Sequence, residues 1–362
     1  MIDRRFAALG AASALLMLSA IPVAAGSPRA PNNYTWHIYQ SDQSGVGDNV
    51  DPNLVNGWGL TRSSTSPWWV ANNGTATSTL YNGAGAALPL VVKVPGAPTG
   101  TVFNGGTGFA ITDGVTTAAA RFLFASEDGT ISGWNPGVPA TNPPVTSTQA
   151  FVGATHAKAI YKGLAIASWN GADYLYATDF HRGRVDVYDS SFKRLSWKHA
   201  FRDPHLPKHY APFGIQELNG MIFVTYARQD KAREDEIAGT GKGFVSAFDP
   251  RGHFLGRIAS RGALNAPWGL AWAPATGFGR FSGDLLVGNF GNGRINGYRW
   301  LNGHWKFDGT VRDANGKAIV VDGLWGIGFG NGAAAGPTTT LYFAAGPDDE
   351  SHGTFGAIWA TP

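Results

Sequence analysis

Oxygen-bearing side chains stand directly after several short apolar runs, and this placement could assemble a cation site. Glu127, Asp179 and Asn289 are three such residues. Hard cations such as Ca²⁺ bind roughly six to eight carboxylate, amide or carbonyl oxygens. These three residues are therefore candidate ligands of a divalent metal, with Ca²⁺ as the candidate ion. Because Asn72-Asn73-Gly74 and Glu127-Asp128-Gly129 also have the composition of tight turns, turn formation is the competing explanation.

A second set of polar residues is predicted to contact a bound ligand. It comprises Asn56, Asn73, Asn104, Lys162 and Tyr226. Asn56 and Asn104 are expected to precede the innermost strands of two repeats, whereas Asn73 and Tyr226 follow apolar runs. The expected ligand is a small molecule, a glycan or a protein.

Lys162 stands where the other repeats have an apolar residue or threonine. A lysine at this point could bind an anion or take part in catalysis. It could also form a structural ion pair with Glu127 or Asp179, and that is the simpler explanation.

Other signatures of catalysis are absent from the sequence. It has no Gly-x-Ser-x-Gly elbow, no recognisable triad context for any serine, and no phosphate-binding or dinucleotide-binding loop. The histidines lie in predicted loops rather than on a predicted helix, and they have no cysteine partner. We expect surface histidines at His156, His181, His205, His209 and His352. The sequence therefore does not decide whether the protein is an enzyme.

A short phrase recurs along the chain and indicates the elements that position these residues. An apolar residue, threonine or lysine precedes a glycine, and an apolar residue follows it. The glycines are Gly59, Gly108, Gly163, Gly214, Gly269 and Gly326, spaced 49 to 57 residues apart. This period is typical of a four-stranded β-propeller blade with its loops.

Three further strands are predicted after each phrase. The second is short and apolar, as in Phe122-Leu123-Phe124-Ala125. The third begins near a glycine, alternates between polar and apolar residues and ends at an aromatic residue, as in Gly183 to Tyr188. The fourth is more polar, as in Leu88 to Val94 and Leu195 to Phe201. We predict an all-β fold, a six-bladed β-propeller, over a two-domain β-sandwich.

The two ends of the chain complement each other in this scheme. The last repeat stops after its third strand, and Tyr34 to Tyr39 forms a strand without a repeat of its own. We predict that the last blade is closed by the N-terminal strand, which removes the open edge of the ring.

The phrases Asn56-Gly57-Trp58-Gly59-Leu60, Ala125 to Pro136 and Ala266-Pro267-Trp268-Gly269-Leu270 resemble a family of exported bacterial propellers of uncharacterised function. Some members of that family carry a PEP-CTERM sorting tail, which this sequence lacks. The family is distantly similar to NHL-type and gluconolactonase-type propellers. The latter place a divalent metal near the axis, so the resemblance implies that such a site is possible here.

A charged insertion runs from Tyr226 to Lys242, where other blades have short turns. Its position predicts that it lies at the ligand-bearing end of the channel, where it could act as a lid. A solvated, mobile insertion is the alternative.

The first 25 residues form a separate segment. Arg4 and Arg5 precede an apolar run from Phe6 to Val23, and Val23-Ala24-Ala25 provides a small-residue cleavage site. We expect a signal peptide at 1–25, a linker at 26–33 and a single propeller domain at 34–362. A membrane anchor is the alternative because the run is close to spanning length. The paired arginines also leave twin-arginine export open.

Composition limits the functional classes. The 362 residues include 50 Gly and no Cys, and 43% are hydrophobic and 15% charged, with a net charge of +3. These values favour a large buried core, exclude disulfides and give no support for nucleic-acid binding. We expect a monomer in the periplasm or outside the cell, with no membrane span after signal cleavage. The expected function is ligand binding or scaffolding at the channel mouth; the alternative is a Ca-dependent hydrolase of the lactonase or esterase type.

Overall fold

A computed structural model of the chain describes residues 29–361. The predicted signal peptide lies outside these described residues. Pro31–Pro362 forms one compact unit. Its regular structure is almost entirely β, interrupted by the 3₁₀ turns Gly279–Phe281 and Phe290–Asn292. In the described part of the chain, no helix has the length and apolar character required to cross a membrane.

The strands follow one another in chain order around six sheets. Two strands precede the first complete blade: β1 Tyr34–Ser41 and β2 Asn49–Val50. Blade 1 contains β3 Gly57–Thr61, β4 Trp68–Asn72, β5 Thr77–Tyr81 and β6 Ala87–Lys93. Blade 2 contains β7 Pro98–Phe103, β10 Phe122–Ser126, β11 Thr130–Trp134 and β12 Phe151–Thr155, with an inserted hairpin of β8 Ala110–Thr112 and β9 Thr117–Ala119.

The remaining blades continue the same order. Blade 3 contains β13 Tyr161–Trp169, β14 Ala172–Asp179, β15 Arg184–Asp189 and β16 Arg194–Leu195. Blade 4 contains β17 Tyr210–Leu218, β18 Met221–Arg228, β19 Gly243–Phe248 and β20 Phe254–Ser260. Blade 5 contains β21 Pro267–Trp272, β22 Leu285–Asn289, β23 Ile295–Leu301 and β24 His304–Thr310. Blade 6 contains β25 Leu324–Phe329, β26 Leu341–Ala345 and β27 Thr354–Ala360. The predicted six-bladed β-propeller is confirmed.

The second strand of each blade is covered on both faces by the neighbouring blades, and its apolar composition explains this burial. Every residue of β4, β10, β22 and β26 is buried. Apolar side chains on both faces of these strands pack against the adjacent sheets. Leu123 and Ala125 of β10, for example, share a core cluster with Leu164 and Leu175 of blade 3. The core therefore consists of apolar layers between blades.

The N-terminal strand completes blade 6, as predicted. β1 pairs antiparallel with β27, from Tyr34 opposite Ala360 to Ser41 opposite Thr354. The buried Tyr34 hydroxyl donates to the Phe278 carbonyl at 2.9 Å and accepts from the Phe281 N–H at 3.2 Å. β2 adds a short parallel pair on the outside of β1. The ring is thus closed by hydrogen bonds between the two ends of the domain.

Glycine allows the innermost strands to approach one another around the axis. A Cβ on Gly214 would overlap the Trp268 carbonyl of the next blade, and one on Gly326 would lie 2.7 Å from the Trp58 carbonyl. Five of the six predicted glycines occupy this position. In blade 2 the prediction of Gly108 is wrong, because Gly100 of β7 has this place and packs on Leu164. Gly108 precedes the inserted hairpin instead.

Two further predictions are corrected by the strand bounds. Asn104 follows β7 rather than preceding it, so it lies at the opposite end of the channel from Asn56. The predicted fourth strand from Leu195 to Phe201 is confined to Arg194–Leu195, and the chain then continues as turns to Tyr210.

Substituting Tyr34 by alanine should weaken ring closure. The change removes a buried aromatic ring and both of its hydrogen bonds, so we expect a loss of about 3–5 kcal/mol in unfolding free energy. Thr35→Ala, on the exposed face of the same strand, should change it by less than about 0.5 kcal/mol. Urea unfolding followed by tryptophan fluorescence measures both. Equal stability of the two variants would contradict the role given to Tyr34.

Candidate functional site

The mouth of the channel is the end at which the innermost strands begin. Asn56 precedes β3, and Lys162 lies at the start of β13. Asn73 and Glu127 directly follow the second strands of blades 1 and 2. The antiparallel register, with Gly57 opposite Asn72 and Tyr161 opposite Asp179, brings these strand ends together. The mouth therefore collects side chains from separate blades.

Lys162 is the centre of the mouth, and its side chain is only 2% exposed. Its Nζ atom lies 2.5 Å from Glu127 Oε1 and 2.9 Å from Asp235 Oδ1. Burial by itself would lower the pKa of Lys162, but the two carboxylates outweigh burial and raise it. The ammonium therefore stays charged throughout the physiological range. The predicted ion pair with Glu127 is present, whereas Asp179 does not take part.

A chain of amide hydrogen bonds surrounds this ion pair. Asn73 Nδ2 donates to Glu127 Oε2 at 2.9 Å, and Asn56 Nδ2 donates to Glu350 Oε2 at 2.6 Å. Trp325 Nε1 donates to Asn56 Oδ1 at 2.9 Å, which fixes the orientation of that amide. Asn56, Asn73, Glu127 and Lys162 are thus brought together by the fold.

Glu350 reaches the mouth through an unusual turn, and the sequence reasoning did not identify it. Asp348, Asp349 and Glu350 have φ values of 54°, 54° and 67°, so three consecutive residues other than glycine adopt the left-handed conformation. Each such residue costs roughly 1–2 kcal/mol relative to the right-handed form. The acidic run after Gly346 was a visible signal, but its inward direction depends on this turn.

The charged insertion lies over Lys162. Asp230 Oδ1 accepts the N–H of Glu234 at 2.9 Å, and the Asp230 N–H donates to the Asp235 carbonyl at 2.8 Å. This local turn presents Asp235 to the Lys162 ammonium while 72% of the Asp235 side chain remains exposed. The predicted position of the insertion at the mouth is therefore observed.

Glu236, from the same insertion, has a perturbed acidity. Burial raises its pKa to about 8, with Glu350 and Asp235 adding to the shift and Lys162 opposing it. Burial likewise raises the pKa of Glu350, and the Asn56 hydrogen bond opposes that shift. Four carboxyl groups thus lie near one ammonium, and burial favours the protonated form of Glu236.

Aromatic rings fill the channel beneath these polar groups. Trp58 stacks on Trp325 with ring centroids 3.7 Å apart, and Phe290 stacks on the same indole at 4.0 Å. Lys162 Nζ lies 5.2 Å from the Trp58 ring centroid, which is cation–π distance. Trp268 donates its Nε1–H to the Lys162 carbonyl at 2.8 Å. Phe290 and Trp268 remain half-buried.

Three predicted site residues point away from the mouth. Asp179 is fully buried and pairs with Arg182 at 3.1 Å. Asn289 donates to the Ala263 carbonyl at 2.8 Å, and its Oδ1 accepts the Asn265 N–H. Tyr226 lies in the core between blades 3 and 4.

The alternation of side chains along a strand explains this difference. In the register of the sheets, Glu127 corresponds to Phe180, Ala227 and Phe290. The predicted residues Asp179, Tyr226 and Asn289 lie one residue earlier and correspond to Ser126. A shift of one residue turns a side chain to the other face of the blade. The predicted ligand set of Glu127, Asp179 and Asn289 is therefore not assembled.

A different carboxylate cluster has the spacing of a metal site. His156, Asp179 and Asp186 offer ligand atoms within 4.8 Å of one another. His156 Nδ1 lies 2.7 Å from Asp186 Oδ2, and Arg184 Nε lies 2.9 Å from Asp186 Oδ1. Arg182 pairs with Asp179, and Arg184 pairs with Asp186. This cluster is therefore an ion-pair network within blade 3.

Asn104 is buried at the far end of blade 2. Its Nδ2 donates to the Ala120 carbonyl at 2.8 Å and to the Gly108 carbonyl at 3.1 Å. These bonds anchor the inserted hairpin, which is a structural role.

Comparison with known sequences identifies relatives of similar length. The chain is 31% identical over 347 residues to uncharacterised protein R648 of Acanthamoeba polyphaga mimivirus, covering 92% of this chain and 82% of R648. It is also 31% identical over 341 residues to uncharacterised protein L690 of the same virus, covering 90% and 86% of the two chains. No protein-family model matches the sequence. These relatives are viral, so the similarity to a bacterial exported family stays a prediction.

Solved structures show similarity at the level of the fold. The soluble aldose sugar dehydrogenase of Escherichia coli superposes with a TM-score of 0.52 and 11% identity, covering 91% of this chain and all of that one. A streptogramin B lyase gives 0.50 and 11%, covering 92% and 100%. A gluconolactonase from Xanthomonas campestris gives 0.40 and 15%, covering 66% and 82%.

Replacing Glu236 by glutamine should make stability less dependent on pH. The folded state holds the pKa of Glu236 near 8, above the usual 4.5, so it favours the protonated form. The associated stability is complete below about pH 4.5 and is lost as the pH rises through about 8. We expect Glu236→Gln to match the wild type at pH 4 and to melt a few degrees higher at pH 9.

Differential scanning calorimetry from pH 4 to pH 9 measures this difference. Glu234→Gln, an exposed neighbour in the same insertion, is the matched control. A Glu236→Gln advantage that does not grow with pH would contradict the burial of this carboxyl group.

Proposed function

Because the chain belongs to the same family as the mimivirus proteins R648 and L690, both uncharacterised, we propose its function from the geometry of its channel mouth. The protein is a ligand-binding β-propeller, and its ligand is a small organic cation. The observation that carries this proposal is the excess of carboxyl groups around the buried Lys162 ammonium.

The charges at the mouth favour a positive ligand. Lys162 contributes one positive charge, and its two partners Glu127 and Asp235 each contribute one negative charge. Glu350 adds acceptor oxygens beside Asn56, and Glu236 adds a fourth carboxyl group, whose protonated form is favoured by burial. This surplus of negative charge would attract a cationic ligand and repel an anionic one.

The aromatic floor supports the same choice. Half-buried Phe290 and Trp268 present ring surface at the mouth, next to Trp58, which already lies under the Lys162 ammonium. Aromatic faces attract organic cations through the ring quadrupole, and carboxylates beside them add direct ion pairs. The exposed Asp235 carboxylate belongs to a surface insertion, so it can turn towards an incoming ligand without disrupting the core.

A Ca-dependent hydrolase is the alternative function. It requires a metal among the mouth carboxylates, because Glu127, Asp179 and Asn289 point in different directions. The Lys162 ammonium already lies between the Glu127 and Asp235 carboxylates, and a divalent ion there would be repelled by it. This repulsion favours binding of an organic cation away from Nζ over metal catalysis.

Putrescine tests the proposal, with the uncharged 1,4-butanediol and the anionic succinate as probes of matched length. We expect millimolar putrescine at low salt to raise the melting temperature by a few degrees, because it binds the folded state alone. Butanediol and succinate should not raise it. Asp235→Asn and Glu350→Gln should each reduce the putrescine shift severalfold, whereas Glu234→Gln should retain it.

Ca²⁺ separates the two functions in the same assay. A shift by Ca²⁺ that EDTA reverses and Glu127→Gln abolishes would favour the hydrolase. The absence of a putrescine shift, or an equal shift in all variants, would overturn the cation-binding proposal.

We also propose that the protein is exported, on the basis of the charged, apolar and small-residue segments of residues 1–25. Expression of the full chain in a Gram-negative host should yield periplasmic protein whose N-terminal residue is Gly26. Intact-mass spectrometry of the purified protein measures this terminus. Recovery of the complete chain from the membrane fraction would instead support an uncleaved anchor.

A further inference from the structure

A separate cavity lies between blades 3 and 4, with a volume of about 460 Å³. The turns that replace the predicted fourth strand of blade 3 form one wall, and the beginning of β17 and the end of β18 form the other. Its lining includes Phe201, Arg202, Asp203, Leu206, Tyr210 and Tyr226. This volume falls in the usual range for small-molecule sites, roughly 300–1,000 Å³.

The wall formed by residues 197–209 is strongly basic. It carries Lys198, Arg202 and Lys208 with three histidines, and Asp203 is its one acidic residue. Within residues 29–361, none of the three cationic side chains forms an ion pair or hydrogen bond with another side chain. The segment therefore presents uncompensated positive charge beside the cavity.

The single acid does not neutralise this charge, because it is already bound elsewhere. The Asp203 side chain is fully buried, and its Oδ2 lies 2.5 Å from both Arg257 and the Ser246 hydroxyl. Arg257 in turn lies over the Phe244 ring at 4.7 Å. Asp203 thus fixes the wall to blade 4 and leaves Arg202 as the free charge at the rim.

The inner part of the cavity is apolar and contains one unused polar atom. Phe201 and Tyr226 are 4% and 1% exposed, and Leu206 and Tyr210 are half-buried. The Tyr226 hydroxyl is buried beside Ser246, and it forms no hydrogen bond of good geometry among the described residues. A buried hydroxyl without a partner is unfavourable, and a ligand oxygen would satisfy it.

The wall is held in a strained conformation. His199, Phe201 and His209 have φ values of 63°, 54° and 67°, and the Phe201 N–H donates to the Gly252 carbonyl at 2.8 Å. Left-handed residues of this kind are concentrated at ligand sites, where the surrounding structure fixes them. The cavity is therefore formed before any ligand arrives, which reduces the entropy lost on binding.

We propose that this cavity binds a small organic carboxylate with an apolar body. Arg202 pairs with the carboxylate at the rim, the apolar body rests on Phe201 and Leu206, and the Tyr226 hydroxyl donates to an oxygen of the ligand. Arg184 also lines the cavity but is paired with Asp186 at 2.9 Å, so Arg202 is the guanidinium left to pair with a planar monoanion. This site is independent of the cation site at the channel mouth.

Three probes of the same shape test the proposal: benzoate, benzamide and benzamidine, which are anionic, neutral and cationic. Isothermal titration calorimetry of the purified protein should show benzoate binding at least about tenfold tighter than benzamide, since one charge-assisted pair separates them. Benzamidine should not bind in this cavity.

Substitutions then locate the site. Arg202→Gln should weaken benzoate binding about tenfold and leave benzamide unchanged, and Tyr226→Phe should weaken both severalfold. Arg294→Gln, an exposed arginine on blade 5, is the matched control and should have no effect. Arg202→Gln and Tyr226→Phe should not alter putrescine binding at the mouth, so failure of one proposal is distinguishable from failure of the other. Equal binding of the three probes, or benzoate binding insensitive to Arg202→Gln, would overturn the inference.

Discussion

The close approach of six backbones around one axis is the constraint on which the rest of this structure depends. Each innermost strand brings a glycine against the backbone of the next blade, so a Cβ at Gly214 or Gly269 would collide with a carbonyl. This contact fixes the direction of the preceding residue in each blade. Those residues, Trp58, Thr99, Lys162, Phe213, Trp268 and Trp325, converge at the mouth. Four of the six are tryptophan or phenylalanine, and their rings pack against one another to fill the mouth end of the channel.

Lys162 is the charged member of this set, and it determines the chemistry of the mouth. A buried ammonium requires carboxylate partners, because desolvation without them costs several kcal/mol. Glu127 is placed beside it by blade 2, and Asp235 is supplied by the insertion of blade 4. The same backbone geometry that closes the propeller therefore also generates its polar centre. Asn56 connects this centre to blade 6, through Trp325 and Glu350.

Local patterns in the sequence predict the blades well and the site less well. The repeat, the second and third strands and the closing strand are local or pairwise patterns, and they appear as predicted. In blade 2, Thr107-Gly108-Phe109 matches the repeat phrase better than Pro98-Thr99-Gly100, so the pattern predicts the wrong glycine for the innermost strand. Asp179 and Asn289 were misplaced because the end of a strand cannot be located to one residue from its composition, and one residue reverses the face. Asp235, Glu236 and Glu350 lie in loops whose direction depends on contacts distant in sequence.

The mouth and the side cavity each contain unfavourable features that closure of the ring does not require. Three consecutive left-handed residues carry Glu350, Glu236 is held in a form with a pKa near 8, and Tyr226 buries a hydroxyl without a partner. None of these features helps to close the ring, since the glycine contacts and β1 already do so. Each lowers the stability of the folded state, so the fold itself gives no reason for them. The two places carry opposite charge, acidic at the axis and basic between blades 3 and 4. Strain that the architecture does not require supports the proposed ligand binding, and the opposite charges support the proposal of two different ligands.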